Sequence, residues 1–97
     1  MTQIPPTIGE AHVLAYTIID ERNQPTGACK HVAGGEPFGP AAGLAICQYP
    51  GENGYYLFYC TTDWEVVTDT WHESIEDAKD QAEFEYTGTL ATWLPTA

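Results

Sequence analysis

The sequence predicts an α+β fold: an antiparallel meander sheet of four to five strands, with one C-terminal helix at about 74–87 packed across it. Three observations carry that expectation. Short runs of β-branched and aromatic residues, cut by glycine, proline and asparagine, fill the first two-thirds of the chain. One stretch of helical spacing follows them, opened by Ser74 and closed by Gly88. The chain has 97 residues, 43% of them apolar, which suits a single domain over 1–97 with one modest core.

Each element has its own signal. Residues 1–10, with Pro5, Pro6 and Gly9, read as an extended lead-in. The run 11–20 is rich in valine, isoleucine and tyrosine and apolar on both faces, so it reads as a strand inside the sheet or covered on both sides. Turn chemistry follows at Asn23, Pro25 and Gly27, and a short strand over 28–33 is expected to form a hairpin with the first. Four glycines and two prolines in residues 34–43 predict an irregular loop. Strands at 44–49 and 55–61 flank Pro50-Gly51-Glu52-Asn53-Gly54. Asn53-Gly54 alone suits a two-residue turn, which sets Cys47 opposite Cys60; because Pro50 cannot donate to a ladder, a longer loop is favoured, which sets Cys47 across from Leu57. After a turn at Thr62-Asp63, residues 64–68 read as a further strand.

Ser74 then has the chemistry of a helix N-cap, with Asp77 three positions on and Glu76 in the first turn, where negative charge suits the dipole. Gly88 is expected at the C′ position. Ile75, Ala78, Ala82 and Tyr86 form one narrow stripe, the buried face, while Phe84 points nearly the other way. The tail 89–97, carrying Leu90, Trp93 and Leu94, is expected to fold back over Phe84.

Charge narrows the function. Fourteen acidic residues stand against three lysines and arginines, a net charge of −11. That balance excludes nucleic acid, whose phosphates need a basic stripe, and argues against anionic lipid. Every apolar run is too short to span a membrane. The N-terminus lacks the basic and apolar regions of a secretory signal, and the odd number of cysteines (Cys29, Cys47 and Cys60) is no disulfide framework. A cytoplasmic protein with reduced thiols is expected.

Catalytic and metal signatures are weak. Cys29-Lys30-His31 sets two ligand types two apart, but no paired knuckle completes a zinc site, so no metal and no cofactor is expected. Cys47 and Cys60 read as small buried hydrophobes in mid-strand. The glycine-rich stretch lacks the Lys-Ser/Thr of a phosphate cradle. What stands out is the clustering of acids: nine of the fourteen fall between Asp63 and Glu85, opposed only by Lys79. Asp80, Glu83 and Glu85 sit in the second half of the helix, where the dipole disfavours them. Those three, with Glu76 and Glu73, are the candidate residues for a landing face that a basic protein partner would meet.

The run from Tyr56 to Tyr86 resembles the C-terminal half of a group of small bacterial proteins of no established activity. They share a strand, an Asp-Trp turn (Asp63-Trp64), an Asp-Thr-x-His (Asp69-Thr70-Trp71-His72) and an acidic Ser-led helix ending in an aromatic pair (Phe84 and Tyr86). More loosely, size, acidity and fold class are similar to those of immunity proteins that neutralise bacterial toxins. That likeness implies a non-enzymatic binding protein and assigns no residue. Two other readings stand beside it. One is a small enzyme or ligand-binding domain with a pocket between the sheet and the 34–43 loop, using His12, His31 or His72; the other is a homo-oligomer joined through sheet edges.

Overall fold

A strand that is apolar on both faces needs cover on both sides, and the two runs at 44–49 and 55–61 become the centre of the sheet. The computed structural model describes residues 2–26, 31–33, 36–38 and 40–96. Its strands are β1 (Thr7–Ile8), β2 (Ala11–Ile18), β3 (His31–Ala33), β4 (Glu36–Phe38), β5 (Gly43–Gln48), β6 (Tyr55–Cys60), β7 (Val66–His72) and β8 (Leu94–Pro95). One antiparallel sheet runs β1-β2-β5-β6-β7, with β8 also on β2; β3 and β4 pair separately. The helix α1 (Ile75–Glu85) is followed by a 3-10 turn, Thr89–Ala91. The fold is α+β, with the antiparallel sheet and single helix that the sequence predicts.

Two hydrophobic layers lie on opposite sides of β5 and β6. On the helix side Leu44, Ile46, Leu57 and Tyr59 meet Ala78, Ala82 and Tyr86 of the expected stripe, with Ile75 and Trp93 at the margin. On the far side Val13, Ala45, Cys47, Phe58 and Cys60 meet Trp64, with Ile4 and Ile8 of the lead-in, Tyr16, Tyr49 and Tyr56 packed against them. Alternation along β5 supplies both layers, which is why the strand is buried from Gly43 to Cys47.

Several expectations are corrected. The strand expected over 28–33 is described from His31 onward, and it pairs with β4 rather than with β2. β4 lies inside the stretch expected to be irregular. β3 and β4 pair antiparallel, His31 with Phe38, Val32 with Pro37 and Ala33 with Glu36.

The connection between β5 and β6 takes six residues, 49–54, so Cys47 faces Tyr56 and Cys60 faces Gly43, in neither of the expected registers. Setting Cys47 across from Leu57 would turn Leu57 and Tyr59 out of the helix-side layer, because one residue of slip inverts the faces. The longer loop is closed by Glu52 N–H donating to Tyr49 O at 3.2 Å, with Gly51 at φ +80°.

β7 starts later and runs further than 64–68. Trp64 holds φ +62°, outside the strand region, and is kept there by its indole N–H donating to Thr2 O at 2.9 Å and by an edge contact with Tyr16, ring centres 5.8 Å apart. Helix α1 ends before Gly88. Tyr86 leaves helical geometry to bridge Pro25, and its hydroxyl accepts the Ala41 N–H at 2.9 Å, so Gly88, at φ +80°, caps the 3-10 turn instead. The tail does not cover Phe84, which stays 57% exposed. It is drawn to the open side of β2, where β8 pairs with Ala15 and Tyr16 and the Thr96 hydroxyl donates to Val13 O at 2.7 Å.

Candidate functional site

The five candidate acids divide according to where α1 turns them. Ser74 caps the helix as its chemistry predicts, its Oγ accepting the Asp77 N–H at 3.0 Å. Glu76 and Asp80, one turn apart, face outward, and Glu73 is exposed just before the cap. Among the described residues, none of these three carboxylates forms an ion pair.

The other two are corrected. Glu83 is half-buried, and its carboxylate accepts the N–H of Gly88 at 2.9 Å and of Leu90 at 3.1 Å. It therefore satisfies the donors of the 3-10 turn. Glu85 is 4% exposed and belongs to no landing face. It lies three residues after Ala82 and seven after Ala78, which puts it on the buried stripe. There it accepts a hydrogen bond from the Tyr59 hydroxyl and another, at 3.1 Å, from Gln81 Nε2. The helical spacing carried that signal; the acidity of the segment hid it.

The three histidines separate as well. His12 is exposed on β2, and the side chain of His31, like Cys29, lies outside the described residues. His72 is buried between sheet and helix. Its Nδ1 is 2.7 Å from Asp77 Oδ2 and its Nε2 is 2.6 Å from Thr70 Oγ1. An ionised carboxylate only accepts, which assigns the proton to Nδ1 and leaves Nε2 of a neutral ring to accept from the threonine. This chain joins the end of β7 to the first turn of α1. A histidine two residues before the N-cap, with an aspartate three after it, is the local pattern that could have flagged it.

The thiols of Cys47 and Cys60 are fully buried, and burial pushes both up to about 12. At neutral pH they are protonated and inert. Among the described residues no three metal-ligating side chains gather at one point, and no helix is long and apolar enough to cross a membrane. The pocket expected between the sheet and the 34–43 loop falls partly outside the described residues. A different cleft, of about 290 Å³, opens between the two chain ends, lined by Gln3, Ile4, Pro5, Pro6, Tyr16, Pro95 and Thr96. Among the described residues that line it there is no carboxylate, imidazole or amine.

Acidity thus does two jobs on one helix: Asp77, Glu83 and Glu85 tie it to the rest of the structure, while Glu76 and Asp80 stay in solvent. No protein family, curated protein or solved structure matches this chain.

Proposed function

We propose that the protein is a non-enzymatic cytoplasmic binding module, immunity-like in style, that meets a basic protein partner through its acidic surface. One observation carries this reading: Glu73, Glu76 and Asp80 are exposed, and none has a cationic partner among the described residues. Like charges one turn apart cost helix stability, and Lys79 is the only cation on α1. Exposed Asp63, Glu65 and Asp69 add to the negative field. Such a field accelerates encounter with a basic surface and discriminates against acidic ones.

The test begins with a pull-down at low and high salt to isolate the partner, followed by stopped-flow association. Glu73→Gln, Glu76→Gln and Asp80→Asn combined should slow association at low salt by about tenfold, with the gap closing as ionic strength passes about 0.15 M. Glu83 and Glu85 are left intact because they hold the fold. An unchanged rate at low salt refutes the proposal.

A second reading, a small enzyme, is favoured by the Thr70–His72–Asp77 chain. A hydroxyl, an imidazole and a carboxylate in series is the order used in nucleophilic catalysis. Esterase activity towards p-nitrophenyl acetate that disappears in Thr70→Val would support it.

A further inference from the structure

On β7, Asp69 and Trp71 alternate with Thr70 and His72. The His72–Asp77 contact turns the latter pair to the helix side, so Asp69 and Trp71 belong to the far face of the sheet. Their register partners on β6 are Phe58 and Tyr56, both in the far-side layer. Tyr56 stands edge-on to Tyr49, ring centres 5.4 Å apart and planes 88° apart. Two perpendicular tyrosines and a neighbouring tryptophan thus occupy the end of the sheet beside the 49–54 loop.

Trp71 is the most exposed of the three tryptophans, at 57%, yet its ring is fixed in position. A Cβ added at Gly54 would come within 2.0 Å of its indole nitrogen, so the ring is seated directly on the glycine backbone. An indole seated this way, with more than half its surface in water and two tyrosines beside it, presents a pre-positioned aromatic face to a ligand. The charges alongside indicate its chemistry. Asp69 and Glu52 are exposed, both act electrostatically on the Tyr49 hydroxyl, and among the described residues neither carboxylate is ion-paired.

We infer that Trp71, Tyr56, Tyr49 and Asp69 form a cation-receiving platform that takes a lysine or arginine side chain of the basic partner. The inference rests on the partner-binding reading above and gives that partner an anchor point. Aromatic faces carry the negative part of the ring quadrupole, so a guanidinium or ammonium over Trp71 gains from the rings and from the carboxylate together. Phosphate-rich ligands meet repulsion here. A second copy of this chain brings the same net charge of −11 and only three lysines and arginines.

The probe is tetra-arginine at low salt, followed by ¹⁵N NMR of the intact protein, with neutral cellotetraose as the control. The indole signal of Trp71, identified by its loss in Trp71→Leu, should shift on titration with tetra-arginine and not with the sugar. Affinity read from backbone amides of β6 should fall about tenfold in Trp71→Leu and about threefold in Asp69→Asn, which keeps the ring over Gly54. The Glu73/Glu76/Asp80 variant should keep the Trp71 shift. Peptide-induced shifts confined to helix amides, with Trp71 unmoved, overturn the platform and leave the broader reading standing. No response to tetra-arginine anywhere overturns both. A response to cellotetraose alone assigns the surface to a saccharide and overturns the inference.

Discussion

The two faces of the sheet are closed by different means. The helix side is packed with leucine, isoleucine and alanine, and its margins are locked by polar contacts: Tyr59 with Glu85, Tyr86 with Ala41, His72 with Asp77. The far side is packed with sulfur and aromatic rings and covered by the short strand β1 with Ile8, and by irregular chain at Ile4 and the turn at Trp64. A helix brings ready-made complementary side chains to every turn of its buried stripe. Irregular chain covers only where it passes, and Tyr49, Tyr56 and Trp71 remain partly in solvent. The difference shows why Asp77 and Glu85 serve as structural parts at the helix–sheet contact, while Asp69 and Glu52 stay as free charges near the open rings.

The largest effect that would sharpen this contrast is in thiol reactivity. With Cys47 and Cys60 pushed up to about 12 by burial, their alkylation by iodoacetamide at pH 8 should run about a thousandfold slower than that of an unfolded thiol. Residue-resolved mass spectrometry would read it. Fast labelling of either would mean that the far side opens readily. The sign of the linkage follows: the folded thiols keep protons that the unfolded chain releases above about pH 8.5, so stability should decline as pH rises past that value.

Next comes the helix side. Glu85→Ala removes a buried carboxylate that accepts from the Tyr59 hydroxyl and from Gln81, and should cost about 2–3 kcal/mol in urea unfolding. A cost near zero would mean that the polar closure contributes nothing beyond packing. Ser74→Ala removes the acceptor for Asp77 N–H and should cost about 1 kcal/mol, read as a lowered melting temperature.

The smallest effects are the most diagnostic, because their signs oppose. Glu83→Gln weakens the acceptor for Gly88 and Leu90 and should lower stability by about 0.5 kcal/mol. Asp80→Asn relieves its repulsion with Glu76 one turn away, while Glu76 keeps its place at the positive end of the helix, and should raise stability by about 0.3 kcal/mol. Equal signs would erase the division between the tied and the solvent-facing acids of the helix.

What could be read in advance follows the range of the interaction that decides each feature. Ser74 and the Ile75/Ala78/Ala82/Tyr86 stripe are set by residues within a turn or two of one another, and both stand as the sequence predicts. The strands β2, β5 and β6 follow from composition within each run. The β5–β6 register was not legible, because it depends on which side of the sheet the helix later covers. Nor was the path of the tail: Thr96 finds Val13, and Thr92 shares a 2.6 Å hydrogen bond with Thr17, across most of the chain. Of the candidate acids, Glu73, Glu76 and Asp80 could be read as surface residues. For Glu85 the helical spacing marked the buried face, but its partner Tyr59, on another element, was not legible.

The outer side of β2 is occupied twice. β1 pairs with Ala11 and His12, and β8 pairs with Ala15 and Tyr16. Between them the two chain ends stopper that edge, and β7 remains as the terminal strand at the other. Growth by edge-to-edge addition needs two open sides, one to receive and one to offer. Within this sheet, among the described residues, strand pairing between copies would be confined to β7, as a closed two-fold pair that does not propagate along the sheet. β1 and β8 therefore shield this edge of the sheet from strand addition, and loosening either one would reopen part of it.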